Sequence, residues 1–350
     1  MYFASDNWAG VSPKVGEAIA EAGKGYAAAY GNDDLTLALK ARLEEVFEHE
    51  VTFFLVPTGT ATNSLALSAL CPSYGIVLAH EESHIVAEEA GAPEFITQGA
   101  RLIGLKGVGN KILPATLEAA LARLPPPDWG HPRPSAFSVT QASECGTVYT
   151  VAELTALTTV AKARGLGVHM DGARFANAVA SLGCTPAEIT WKAGVDALSF
   201  GLTKNGAFMA EAVVLFDPAG AETVQWRRKR AGHVVSKARF MAAQFLAMLE
   251  DGHWLALAGH ANAMAARLSA GVVAAGHRLA WPSEANEVFA IVPKALSGRL
   301  EVAGAQFHAW PWQAYGGVAP SADETVIRLV ASFATRLEDV ESFLTALRAG

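Results

Sequence analysis

The sequence is poor in charge and in cysteine. Of its 350 residues only 17% are Asp, Glu, Lys or Arg, while 51% are hydrophobic. That balance excludes a disordered chain, which needs high charge and little apolar surface. Its three cysteines, Cys71, Cys145 and Cys184, are odd in number and spaced neither as a disulfide framework nor as metal ligands, which suits a reducing cytoplasm. No apolar run approaches the length of a membrane span, because Gly, His or a charge interrupts each one. The opening stretch, MYFASDNWAG, lacks the basic start and apolar core of a signal peptide. Positive charge is scarce as well. A formal net charge of −7 argues against a broad nucleic-acid-binding face, so any anionic ligand needs a local cluster. The expectation is a cytoplasmic globular protein with a small-molecule partner and no nucleic-acid or membrane partner.

What is present is a regular alternation. Short β-rich runs at 52–57, 75–79, 93–97 (PEFIT), 135–140, 166–170, 197–201 and 211–216 are separated by helix-length segments such as 60–70, 114–124 and 151–164. The last of these opens at Thr150 with Glu153 three residues on, a capping-box arrangement. Alternation of this kind predicts a mostly parallel seven-stranded α/β sheet with helices on both faces. The proline-rich stretch 123–135 reads as a surface loop. From about 238 to 271 the pattern is helical, followed by short strands near 287–292 and 325–330 and a final helix at 336–348. This predicts a large domain over 1–240 and a small C-terminal α+β domain over 241–350.

In an open α/β sheet, ligands collect beyond the carboxyl ends of the strands. Four stretches stand there: TGTATN after 57, HEESH after 79, DGAR after 170 and LTKNG after 201. Gly59 and Thr60 mark a strand-to-helix handover, where free amides and the helix dipole favour a phosphate; the same residues also make an ordinary N-capped helix. Asp171 ends an apolar strand and reads as a helix N-cap or as the partner of a pyridinium nitrogen. Lys204 is a lone cation in SFGLTKNGAFMAEAVVLF, either a solvated turn residue or an amine held for chemistry. An aspartate that keeps a ring nitrogen protonated and a lysine that forms a Schiff base are together what pyridoxal 5'-phosphate (PLP) requires.

HEESH matches the H-E-x-x-H zinc pattern and offers a zinc hydrolase using His80, Glu81 and His84. His80 directly follows an apolar strand, however, so the pair straddles a turn. The alternatives are a structural His80 and a His84 that stacks on a flat cofactor. WRRKRAGHVVSKARF (226–240) is a basic cluster that reads as a solvated helix face or as a phosphate contact across a subunit interface. Arg328, isolated in an apolar strand, either pairs with a carboxylate or clamps a substrate carboxylate.

Taken in order, SDN (5–7), YGNDDLT (30–36), PTGTATN (57–63), His84 with Glu89, HMDGARFANA (169–178), LTKNGA (202–207) and IRLV (327–330) resemble the L-threonine aldolase family of fold-type I PLP enzymes over nearly the whole chain. The resemblance implies cleavage of L-threonine, L-allo-threonine and related β-hydroxy-α-amino acids to glycine and an aldehyde. It makes Lys204 the Schiff-base lysine, Asp171 the partner of the ring nitrogen, and Gly59 and Thr60 the phosphate holders. It places His84 on the ring, with Glu89 positioning it or a water for proton transfer. Ser5, Arg174 and Arg328 fall near the substrate carboxylate or the cofactor's phenolic oxygen. Tyr30, Arg228 and Lys229 come from a neighbouring subunit of a homotetramer built from dimers, and no metal is implied. Where many members carry a histidine, this chain has Ser143 and Glu144, a departure that points to the low-specificity, phenylserine-cleaving branch. A β-eliminating lyase acting on another amino acid is the rival within the same chemistry.

Overall fold

The computed structural model describes residues 1–125, 128–312 and 316–349. Its larger sheet has seven strands: β1 (Thr52–Val56), β2 (Gly75–His80), β3 (Arg101–Leu105), β4 (Arg133–Thr140), β5 (Gly167–Gly172), β6 (Ala197–Gly201) and β7 (Glu211–Leu215). Their order is β1-β7-β6-β5-β4-β2-β3. All run parallel except β7, which is antiparallel to both β1 and β6. Successive side chains on a strand point to opposite faces, and here both faces are covered. Ile76 and Leu78 of β2 join one apolar cluster with Phe47, Phe137 and Phe200, while Val77 and Ala79 join another with Leu67.

One expected strand is a helix. PEFIT lies in the helix Ala92–Thr97, with a proline in its first turn and the left-handed Gly91 before it. The third strand is instead Arg101–Leu105, at the sheet edge. Helices do occupy Gly59–Leu70, Pro114–Arg123 and Val151–Ala163, the last with both bonds of its capping box. In the stretch 123–135, β4 begins at Arg133, and residues 126 and 127 lie outside the described residues. The helical run after 238 is two helices, Arg239–Leu249 and His253–Ala274, parted where Asp251 and Gly252 take positive φ of 51° and 67°.

A separate antiparallel sheet forms from β8 (Arg278–Leu279), β9 (Glu287–Pro293), β10 (His308–Trp310) and β11 (Glu324–Val330), ordered β10-β11-β9-β8. The apolar core behind it takes Val288, Ala290, Ile327 and Leu329 from the sheet and Phe343 and Leu344 from the last helix. Phe3 is buried in that same core, and the backbone of Phe3 bonds to Gln306 and Val330. The N-terminal segment is thereby tied to the C-terminal sheet, which brings Asp6 and Asn7 near the large sheet's edge of strand ends. The core of the large sheet in turn reaches forward to Trp254 and Ala258.

The turn from β6 to β7 positions the site. Leu202 N–H donates to Ala210 O at 3.0 Å, closing a hairpin whose loop carries Lys204 in the short 3-10 turn Thr203–Asn205. Gly206 follows at φ 111°, a conformation that L side chains rarely adopt, and a Cβ there would stand 3.2 Å from Leu257 and Phe333. Because β7 runs backwards, its first residue, Glu211, lies between the ends of β1 and β6, opposite Val56 and Gly201.

Candidate active site

A cavity of about 290 Å³ opens beyond the carboxyl ends of the parallel strands, where this architecture places ligands. At one end Thr58 caps the helix Gly59–Leu70, its hydroxyl accepting the Ala61 N–H at 3.2 Å. The Gly59 and Thr60 amides belong to the first turn, which has no intrahelical acceptors. Both residues line the cavity, and a Cβ at Gly59 would meet nothing within 4 Å.

One turn further along that helix, buried Asn63 lines the cavity and joins two carboxylates. Its amide nitrogen donates to Asp171 Oδ2 and to Glu89 Oε1, each at 2.8 Å. Asp171, at the end of β5, also accepts the Ala173 N–H at 3.0 Å. Glu89 Oε1 stands 2.8 Å from His84 Nδ1. Burial holds the Glu89 carboxyl above its usual range, and its hydrogen bonds to His84 and Asn63 only partly offset this. The same contact with Glu89 raises His84 above its ordinary value against the effect of burial. His84 is fixed at its backbone too, where its N–H donates to Glu144 Oε1 at 2.8 Å. Glu144 further accepts from Asn110 at 2.8 Å and Thr140 at 3.1 Å, and burial raises its carboxyl.

Lys204 and Arg174 line the same cavity. The Arg174 guanidinium is not free. Its Nε and one terminal nitrogen donate to Asp6 at 2.8 and 3.1 Å, and it lies 3.4 Å from Glu287. Burial would raise the Asp6 carboxyl, but Arg174, with Lys204 adding its charge, holds it below the usual range. Glu287 is raised by burial despite Arg174, Arg328 and Lys204.

Gly59, Thr60, His84, Asp171, Arg174 and Lys204 therefore line one cavity, with Glu89 behind His84. Ser5, Tyr30, Arg228, Lys229 and Arg328 do not line it. Ser5 caps a short turn by accepting the Asn7 N–H and faces a different cavity with Trp8 and Asp339. Asn7, two residues on, lines the main one. Arg328 lies with its guanidinium 4.3 Å from the Trp310 ring centre and donates to Ala4 O at 3.2 Å. Tyr30 and Arg228 line a third cavity, with Lys229 over the Tyr30 ring.

The zinc reading is corrected here. His80 is the last residue of β2 and His84 opens the next helix, so the pair does not share a helical face. His80 Nδ1 accepts the Glu82 N–H, and burial lowers its pKa to about 4. No three His, Cys, Asp or Glu side chains among the described residues gather to hold a metal ion.

Comparison with known proteins gives the family. The beta-eliminating lyase family model matches residues 2–295. Low specificity L-threonine aldolases of a Pseudomonas species and of Pseudomonas aeruginosa are each 44% identical, over 88% of this chain and 89% of their own. The chain belongs to the L-threonine aldolase family. A solved threonine aldolase of Leishmania major superposes with a TM-score of 0.92 at 27% identity, over 99% of this chain and 98% of that one. The fold is that of fold-type I PLP-dependent enzymes, shared with the serine palmitoyltransferase of Sphingomonas wittichii at a TM-score of 0.71 and 16% identity, over 100% of this chain and 86% of that one.

Several residues of this threonine aldolase family site were not singled out in the reading of strand ends, although Asn63 closes TGTATN. Asn63 was detectable as the residue one helical turn beyond Gly59 on the same face. Asn7 lies within SDN. Glu211 begins a strand, and only the reversal of β7 brings it to the cavity. Glu287 comes from the small sheet, for which no local signal exists.

Proposed function

We propose that this lyase uses PLP to cleave L-threonine, L-allo-threonine and related β-hydroxy-α-amino acids, phenylserine among them, into glycine and an aldehyde. The observation that carries the reading is that Lys204 lines one cavity with Asp171, Asn63 and His84, which hydrogen bonds through Asn63 and buried Glu89 join into a chain. The donor set fits the cofactor. Gly59 and Thr60, first-turn residues that line the cavity, suit a phosphate. Asp171, buried and ligated by two donors, suits a protonated ring nitrogen. Lys204 would hold the aldehyde and His84 would stack on the ring. When bound, PLP supplies the sink for the electron pair left at Cα.

The chain's own groups do the rest. Arg174, held by Asp6 and Glu287, presents a fixed cation to the phenolic oxygen or the substrate carboxylate. With Glu89 ionised, His84 Nδ1 carries a hydrogen and Nε2 is the basic atom. Nε2, or a water that Glu89 positions through it, takes the β-hydroxyl proton as the carbon–carbon bond breaks. Tyr30, Arg228 and Lys229 reach the cofactor of a neighbouring subunit in a homotetramer built from dimers, and the enzyme works in the cytoplasm. Glu144 in place of a family histidine supports loose discrimination at the β-carbon.

Borohydride reduction of the PLP-loaded chain followed by peptide mapping is expected to find the pyridoxyl group on Lys204; another site would overturn the assignment. Glycine and acetaldehyde are the expected products from L-threonine. Since the matching family model is that of beta-eliminating lyases, ammonia and a 2-oxo acid in their place would establish elimination instead.

A further inference from the structure

Arg174 stands between two buried carboxylates of unequal fit. Asp6 takes its Nε and Nη2 at 2.8 and 3.1 Å, and the Asn286 side-chain amide fixes Asp6 in turn at 3.1 Å. A guanidinium offers its donors along a planar fork. With the Nε–Nη2 edge filled, a ligand is left the edge formed by Nη1 and Nη2. Glu287 Oε1 stands 3.4 Å from Nη2, the nitrogen that both edges share. That is longer than the roughly 2.7–2.9 Å of a charge-assisted bond. Glu287 is 1% exposed, and among the described residues neither of its carboxylate oxygens accepts a hydrogen bond. A buried carboxylate so poorly answered is costly, yet the fold keeps it there. It opens β9 opposite Val330, on the sheet face that also carries Arg328. The backbone at Gly146 presses on it, since a Cβ there would stand 3.1 Å from Glu287 Cβ.

We propose that Glu287 stands in for the substrate carboxylate at Arg174 before substrate binds, so that Asp6 holds the guanidinium and Glu287 competes for it. The inference rests on the reading of Arg174 as a carboxylate contact in the proposed reaction. It makes Glu287 a positioning residue that sets how tightly the substrate is held. A ligand carboxylate enters through the cavity that Arg174 lines and is free to meet the open edge squarely. Glu287, fixed at the start of its strand, is not. Binding brings a third carboxylate to one guanidinium, and the charge of Glu287 opposes it. Glu287 therefore weakens binding, whereas Asp6 strengthens it by orienting the fork. Two carboxylates on one guanidinium then act with opposite sign. Charge alone would give both the same sign, and so would lost packing.

Calorimetric titration of the full-length chain at about pH 8, well above the usual carboxylate range, tests this with two probes. Acetate is titrated into the PLP-free chain and glycine into the PLP-loaded chain. Glu287→Gln keeps the shape and removes the charge; it is expected to tighten both probes about tenfold. Asp6→Asn turns an amide donor toward the donors of Arg174 and Asn286, and is expected to weaken both about tenfold. With L-threonine, Glu287→Gln lowers KM by a similar factor and leaves kcat within about twofold. A Glu287→Gln chain that binds acetate no more tightly than the wild type would overturn the inference. So would tightening in both variants, the mark of charge alone. Failure of borohydride to trap PLP at Lys204 would remove the functional reading, while acetate binding still reported on Glu287. PLP trapped at Lys204 with acetate affinity unchanged would remove only the role of Glu287.

Discussion

One amide nitrogen of Asn63 serves two carboxylates, those of Asp171 and Glu89. Asp171 receives a second donor from the Ala173 backbone. Glu89 keeps one oxygen buried and without a hydrogen bond, so its charge bears on His84. The sign of the pH effect follows. His84 is raised above its ordinary 6.5 chiefly by Glu89, and a base must be neutral. Cleavage is therefore expected to rise as pH climbs through a value above 6.5. Replacing Glu89 by Gln removes the main cause of the rise, so the acid limb of kcat/KM moves to lower pH. His84→Ala abolishes the limb and costs roughly 10²–10⁴-fold in kcat, the usual range for a general base. An acid limb that stays in place in Glu89→Gln would show that another group takes the proton. Lys204 and Asp171 were readable as a chemical pair because each lies at or just beyond the carboxyl end of a strand; Asn63, which links the acids, carries no charge to mark it.

Elements with strong local chemistry were legible, and those defined by their surroundings were not. Thr150 and Glu153 make the capping box their spacing predicts, with Thr150 Oγ1 accepting the Glu153 N–H at 3.2 Å and Glu153 accepting the Thr150 N–H at 2.8 Å. Thr150→Ala is expected to cost about 1 kcal/mol, read as a lower midpoint in urea unfolding with cleavage of L-threonine unchanged; a loss of activity at full stability would assign this helix a part in the site. PEFIT misled because β-branched and aromatic residues favour strands, whereas Pro93 in the first turn and the left-handed Gly91 start a helix. The true third strand, RLIGL, has partly exposed positions and a glycine, as an edge strand tolerates. Gly104 is required there, since a Cβ would lie 2.8 Å from the Glu81 backbone. Nor does periodicity distinguish a parallel from an antiparallel strand. β7 has the apolar run of its neighbours, and its reversal, which delivers Glu211, comes from the short connection to β6 that cannot cross the sheet.

At the scale of the whole molecule, one chain separates its basic cluster from its cavity. Arg228 donates to Leu55 O at 3.0 Å, and Tyr30 N–H donates to Ser236 O at 2.8 Å. These contacts gather Tyr30, Leu37 and Arg228 against β1, the edge strand of the large sheet. Tyr30 and Leu37, which line the third cavity, are 60 and 63% exposed, and Trp226, two residues before Arg228, is 62% exposed. Cation and aromatic surface at a sheet edge would suit a second copy of the chain, and such a copy would let Arg228 reach its phosphate. In a twofold dimer each site would then take Lys204 from one chain and Arg228 from the other. Lys204→Ala and Arg228→Ala are each expected to be inactive at limiting PLP. When the two chains are refolded together, half of random dimers are mixed and each mixed dimer has one intact site, so about a quarter of wild-type activity returns. A mixture no more active than its components would mean that every site is built from a single chain, and the basic cluster would then have no part in holding the cofactor.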